Sequence, residues 1–181
     1  MNGVNMSKGI IVFGLNGSGK STLGKELASA LGYKHMDIED YVFLKSDIPY
    51  MKQLTREEYL SLMLKDIRKH DNFVLSAVKG NFGEEISSLY KLGVFIEVPY
   101  DIRVKRVEQR SIDKFGDRIK KNGDMYESEK RFFEFVKSRD IESVKHWSET
   151  LNCPVIQVDG TKDIWENAKW IKEEYLKILS R

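Results

Sequence analysis

With one cysteine, Cys153, the chain can close no internal disulfide and build no cysteine-based zinc cluster. That thiol precedes Pro154 and a run of β-branched residues, so it reads as a packed small hydrophobe. The histidines His35, His70 and His146 are scattered, with neither metal-ligand spacing nor a paired nucleophile, and read as surface or interface residues. No apolar run approaches the roughly 18 residues of a membrane span. Met1 to Lys8 lacks the cationic and apolar blocks of a secretory signal. A cytoplasmic protein is therefore expected. Neither sign of charge is in much excess, because 30 Lys and Arg stand against 28 Asp and Glu. A polyanion-binding face is not implied by such totals. Trp147, Trp165 and Trp170 read as core or helix–sheet packing. They are not interleaved with basic residues as a nucleic-acid stacking platform would be, so neither nucleic acid nor membrane is expected as a partner.

What is present is a globular composition, 41% hydrophobic and 32% charged over 181 residues. That length suits one domain burying roughly 70% of its unfolded surface, with no internal repeat or linker to divide it. A monomer or weak homodimer is expected. Gly9-Ile-Ile-Val-Phe13 reads as a short buried strand, and Ser21 to Leu31 as a helix stopped by Gly32. Tyr33 to Met36 is a second strand candidate. Thr55-Arg56-Glu57-Glu58 predicts a capping box opening a helix with Tyr59, Leu60, Met63, Leu64 and Ile67 inward. Phe73 to Leu75, Gly93 to Val98 and Pro154 to Val158 supply three more strands. Helices are expected from about Asp101 to Phe115, from Tyr126 to Trp147 with an interruption, and from Ile164 to Leu179. Gly116 to Asp124 reads as a loop. Five strands alternating with helices predict a three-layer α/β domain, its sheet mostly parallel, with ligands at the carboxyl ends of the strands.

Gly14-Leu15-Asn16-Gly17-Ser18-Gly19-Lys20-Ser21 satisfies the Walker A pattern, and it lies between a predicted strand and a predicted helix. The glycines let successive N–H groups turn inward around a phosphate, and the helix start adds unpaired amides and the positive end of its dipole. Lys20 is placed to reach the β and γ phosphates, Ser21 to ligand Mg²⁺, and Thr22 to touch the α phosphate or only its own backbone. ATP with Mg²⁺ is the expected nucleotide.

Gly14 to Thr22, the helix after it, the acidic cluster Asp37-Ile38-Glu39-Asp40 and the late Ile156-Gln-Val-Asp-Gly-Thr161 together resemble the nucleotide- and shikimate-kinase-like group of P-loop kinases. The resemblance spans nearly the whole chain. It implies a P-loop NTPase fold with a five-stranded parallel sheet in the order 2-3-1-4-5 and a short mobile lid at about 114–126. It also implies an acceptor-binding region at about 38–70. Asp159, Gly160 and Thr161 would sit near the adenine.

Asp37 and Glu39 follow the second strand in alternation, which can send both carboxylates to the sheet's carboxyl edge. The resemblance implies that the first acid lies near Mg²⁺ and the second on the acceptor; capping of a helix by Asp37 is the alternative. Glu39 stands where shikimate kinases carry aspartate. No aspartate ends the third strand, so Asp37 is the substitute for a Walker B carboxylate. Arg56 is placed either in the acceptor pocket or in solvent, and Lys79 and Asn81 replace part of a glycine-rich acceptor loop.

Arg103, Arg106 and Arg110 share one helical face. By the resemblance, Arg110 is expected on the base or α-phosphate side. Arg118 is expected as the lid arginine and Arg139, oriented by Asp140, at the transferred phosphoryl group. The functional expectation is an enzyme, an ATP-dependent kinase moving the γ-phosphoryl group to a small hydroxylated or anionic metabolite. A nucleoside monophosphate kinase and a non-catalytic nucleotide-binding protein are the alternatives. GTPase chemistry is disfavoured, since no N-K-x-D string occurs.

Overall fold

The strand β1 (Gly9–Phe13) is buried at every residue because it is the middle of a sheet. In the computed structural model, which describes residues 7–44 and 52–180, β1 pairs in parallel with β3 (Phe73–Ala77) and β4 (Tyr90–Glu97). The strand β2 (Lys34–Asp37) extends the sheet beyond β3, and β5 (Val155–Asp159) extends it beyond β4. The order β2-β3-β1-β4-β5, parallel throughout, is the P-loop NTPase arrangement that the resemblance implied.

Period-2 alternation sends the side chains of β1 to two cores. Ile10 and Val12 pack with Leu23 and Leu27 of α1 (Lys20–Leu31) and with Ala168, Ile171 and Tyr175 of α8 (Ile164–Leu179). Ile11 and Phe13 pack with Met63 and Ile67 of α3 (Arg56–His70) and Val144 of α7 (Glu142–Ser148). Each such aliphatic or aromatic side chain contributes about 1.5–3 kcal/mol on burial, so the two cores fix which edge of the sheet carries the loops. The helix α3 opens with the expected capping box. Thr55 accepts from Glu58 N–H while the Glu58 carboxylate accepts from Thr55 N–H, which holds that carboxyl below its ordinary range.

Several local expectations are corrected. Two single-turn helices follow β2 and β3: α2 (Ile38–Val42), the helix of the alternative in which Asp37 is a cap, and α4 (Glu84–Ser87), which was not expected. Each is too short to show a 3.6 period. The stretch from Tyr126 is interrupted as expected, into α6 (Tyr126–Ser138) and α7, with the break at Arg139 to Ile141. Between α5 (Tyr100–Phe115) and α6, the segment Gly116–Ile119 is a 3-10 helix rather than an open loop. Trp147 does pack edge-on against Phe13. Trp165 is 69% exposed and Trp170 42%, so neither is core. His35 is not a free surface histidine: half-buried on the edge strand β2, it has Nε2 3.0 Å from Ser76 Oγ. The expected acceptor region includes residues 45–51, which lie outside the described residues. No helix among the described residues is long and apolar enough to cross a membrane. Cys153 is half-buried against the second core, and burial pushes its thiol up to about 11.

Helix α1 lies so close to β3 that a Cβ on Gly24 would collide with Ser76 Oγ and stand 3.0 Å from His35 Nε2. In an open helix, Gly→Ala gains about 1 kcal/mol. Here Gly24→Ala is expected to destabilise instead, by about 1–3 kcal/mol, through overpacking. A urea midpoint at or above that of the unmodified protein would contradict this packing.

Candidate active site

The backbone between β1 and α1 is shaped by two glycines in particular. Gly17 has φ +83°, and a Cβ there would strike the backbone carbonyl of Arg103 on α5. Gly19 has φ +94° and is the N-cap residue of α1 with no capping side chain. The space beside it is open, and a Cβ on Gly19 would meet nothing within 4 Å. The first amides of α1 are therefore left for a ligand, where the helix dipole favours an anion. Gly14 and the buried Ser18 complete the loop, and the Ser18 hydroxyl has no partner among the described residues.

Lys20 begins α1, with Nζ donating to Leu15 O at 3.1 Å across the loop. Burial lowers its pKa to about 8; Glu39 and Asp37 oppose that shift, while Arg110 and Arg139 add to it. Ser21 stands beside it, exposed at the mouth. Lys20, Ser21, Asp37, Glu39 and Arg110 line one cavity with Asn16 and Gly17, so residues from three segments meet at the carboxyl edge of the sheet. Asp37 does cap α2, as its Oδ1 accepts from Glu39 N–H at 3.1 Å. Capping and cavity lining are compatible, because the carboxylate has a second oxygen. Ser76, near the end of β3, occupies the place of the missing acid. Its hydroxyl donates to Lys20 O at 3.1 Å and therefore accepts from His35 Nε2. Burial holds His35 below its ordinary value, which favours the neutral ring in that chain of bonds.

Arg110, expected on the base or α-phosphate side, lines the cavity with Lys20 and Ser21. Arg106, one turn earlier, is the arginine on the β5–α8 turn, with Nη1 donating to Gly160 O at 3.0 Å. Arg106, Gly160, Thr22 and Gly19 line a separate cavity of about 310 Å³. The shared face of Arg106 and Arg110 was visible in the sequence; which of the two reaches the last strand was not. Asp159 and Thr161 are bonded to each other, through Thr161 N–H at 2.8 Å and its hydroxyl at 2.6 Å, and face a larger cavity of about 890 Å³.

On the other side, Arg56 and Asn81 are brought together. Arg56 Nη2 donates to Asn81 O at 2.9 Å, and both line a cavity of about 450 Å³ beside α4. Lys79 is half-buried and lines neither this cavity nor the phosphate cavity. Arg118 is not brought to the site: its guanidinium is held by Asp124 at 2.7 Å, both side chains being exposed. Asp140 does not orient Arg139, since its Oδ1 accepts from Glu142 N–H at 3.0 Å. Arg139 instead lies 5.0 Å over the Phe135 ring and lines the 890 Å³ cavity. Sequence reasoning missed Arg103 as a site residue. It is 3% exposed, and its Nη1 donates to Asn16 O at 3.0 Å.

A family model described as an AAA domain matches residues 10–130, more than half of the chain. The chain is 30% identical over 164 residues to the uncharacterised protein YqaC of Bacillus subtilis, spanning 85% of this chain and 89% of that one. It is 30% identical over 115 residues to a shikimate kinase of Clostridium botulinum, spanning 58% of this chain and 67% of the kinase. In fold it resembles a proposed kinase of Chloroflexus aurantiacus, with TM-score 0.63 at 14% identity over 97% of this chain and 99% of that one.

The lowered Lys20 pKa has a measurable consequence. Phosphate favours the charged ammonium, so binding raises the pKa from about 8 and draws in a proton wherever the free protein holds Lys20 neutral. Nucleotide affinity is expected to fall as pH rises above about 8, with uptake approaching one proton per nucleotide near pH 9 and vanishing near pH 6.5. Calorimetry in buffers of different ionisation enthalpy measures this uptake. A binding heat independent of buffer at pH 9 would contradict it.

Proposed function

The chain belongs to the AAA-domain family and to the nucleotide- and shikimate-kinase-like P-loop kinases, and on that footing we propose that it transfers the γ-phosphoryl group of ATP to a small hydroxylated or anionic metabolite. The observation that carries this reading is the single cavity gathering Lys20, Ser21, Asp37, Glu39 and Arg110. Loop amides and Lys20 would hold the phosphates, and the Arg110 guanidinium would meet charge that grows on the transferred group. Glu39 would orient the acceptor hydroxyl and take its proton. The shikimate kinase likeness supports a hydroxylated acceptor, while Glu39 in place of aspartate argues for an acceptor other than shikimate.

The residues present suit Mg²⁺. Ser21 and the Asp37 oxygen left free by capping are hard oxygen donors, and a cation held by one or two protein oxygens plus phosphates is the usual Mg²⁺ arrangement. Among the described residues no cluster of three or more His, Cys, Asp or Glu exists to hold a metal unaided. When bound, the cation would neutralise phosphate charge.

Residues 114–126 would close over the phosphates as a lid, with Arg118 exchanging Asp124 for phosphate oxygens. The exposed Arg118–Asp124 pair is a weak clasp, since water screens it on both sides.

Lys20→Ala is expected to depress acceptor-dependent turnover about a hundredfold or more, the scale of removing one preorganised electrostatic group. ADP release, screened over hydroxy acids, sugars and nucleoside monophosphates against a no-acceptor control, measures this. Turnover in Lys20→Ala equal to that of the unmodified protein would sink the kinase reading. For the lid, hydrogen exchange across residues 114–126 should slow when an ATP analogue and acceptor are both bound, less so in Arg118→Ala. Equal exchange with and without ligands would leave Arg118 a surface arginine.

A further inference from the structure

In a parallel pair, residues in register share a face of the sheet, and alternation returns every second residue of a strand to that face. His35 is in register with Val74 and Asp37 with Ser76, so these four side chains lie on one face. Val74 packs in the core that also holds Leu23 and Leu27, which makes it the face that α1 covers. There Ser76 is buried, its hydroxyl lying between His35 Nε2 at 3.0 Å and Lys20 O at 3.1 Å. Gly24 leaves room for this chain of bonds, since a Cβ there would collide with Ser76 Oγ.

The polarity of the chain follows from its end. A backbone carbonyl only accepts, so the one proton of Ser76 goes to Lys20 O, and His35 supplies the proton of the other bond. Lys20 O alone does not fix the hydroxyl, because a carbonyl in the first turn of a helix already accepts from the amide four residues on. His35 does fix it, by occupying one of the two lone pairs. The second lone pair is left over. Ser76 lines the cavity of about 40 Å³ that Lys20, Ser21, Asp37 and Glu39 also line, a polar space large enough for ordered water. A hydroxyl free to rotate could turn its proton into that space, where a donor would oppose a cation.

We propose that His35 is a positioning residue for Mg²⁺: by donating to Ser76 it keeps the serine proton on Lys20 O, so that Ser76 faces the cavity as a fixed acceptor for hydrated Mg²⁺ beside Ser21 and Asp37. The proposal rests on the phosphate-loop part of the kinase reading above and on no particular acceptor. His35 does not line the cavity itself and acts through Ser76.

Calorimetric binding of the non-hydrolysable analogue AMP-PNP, with Mg²⁺ and with EDTA, gives each protein a magnesium enhancement, the ratio of the two affinities. His35→Leu removes the donor and Ser76→Ala the acceptor. Each should lower that ratio about tenfold, the scale of one hydrogen bond to a charged assembly, while affinity in EDTA changes less than about threefold. The double variant should lose no more than either single one, because both cut the same chain. His35→Gln should keep the ratio within about threefold of the unmodified protein, since its amide can place an N–H where Nε2 lies. Should His35→Leu fail to fold, His35→Asn, whose shorter amide falls short of Ser76, makes the same comparison. The positioning role is overturned if the ratio does not fall, if the two losses add, or if His35→Gln loses as much as His35→Leu. It is also overturned if affinity in EDTA falls in step, which would make His35 a support of α1 packing alone. An unmodified protein that binds no AMP-PNP overturns this proposal together with the kinase reading. Normal binding with an unchanged ratio in the variants overturns this proposal and leaves that reading standing.

Discussion

The contact between Gly17 and the backbone of α5 governs most of what surrounds the phosphate loop. No side chain separates the two segments there, so the helix that leads towards residues 116–124 rests directly on the loop. Arg103 adds a hydrogen bond from that helix to the neighbouring Asn16 carbonyl. A shift of α5 is therefore felt first by the backbone that would hold phosphate, with no flexible side chain to absorb it. The β5–α8 turn approaches almost as closely, since a Cβ on Gly160 would stand 2.8 Å from Ser18 O. Loop, helix and turn are locked by steric exclusion more than by polar bonds.

Electrostatics then divides the edge of the sheet into regions of different character. Around Lys20, cations and carboxylates are interleaved, and the ammonium is lowered only to about 8 because Glu39 and Asp37 offset part of its burial. At the ends of β4 and β5, Arg103, Arg139 and Lys162 share one cavity with Glu97, Asp140 and Asp159. On the β5–α8 turn, Arg106 is satisfied by a neutral carbonyl. The surface ion pairs Arg68–Glu85 and Lys137–Glu108 hold neighbouring elements together but are well exposed, and each is worth little.

The fold was legible wherever local chemistry is decisive. Gly9 to Phe13 can only be a buried strand, Thr55 to Glu58 announces its own capping box, and the helix from Ile164 to Leu179 appears with the predicted bounds. Of the short helices, α2 was announced only by its Asp37 cap and α4 by nothing, because four or five residues carry no period. The positions of arginines escaped for a different reason. Arg103, Arg106 and Arg110 are equivalent by spacing, and only the tilt of α5 across the loop sends one to Asn16, one to Gly160 and one to the phosphate cavity. Trp165 and Trp170 misled because large aromatic residues are usually buried, whereas α8 already fills its inner face with Ala168, Ile171 and Tyr175. His35 was misread because nothing local marks the strand partner that Ser76 provides.

Cys153 has a practical side. As the sole thiol of the chain, half-buried and with a pKa raised to about 11, it holds very little thiolate at neutral pH, and thiolate is the reactive form. A second cysteine placed on the surface would outcompete it for a maleimide dye. Site-selective labelling of the native background is thus available without first removing the natural residue, and a dye on the 116–124 segment would report its movements one molecule at a time.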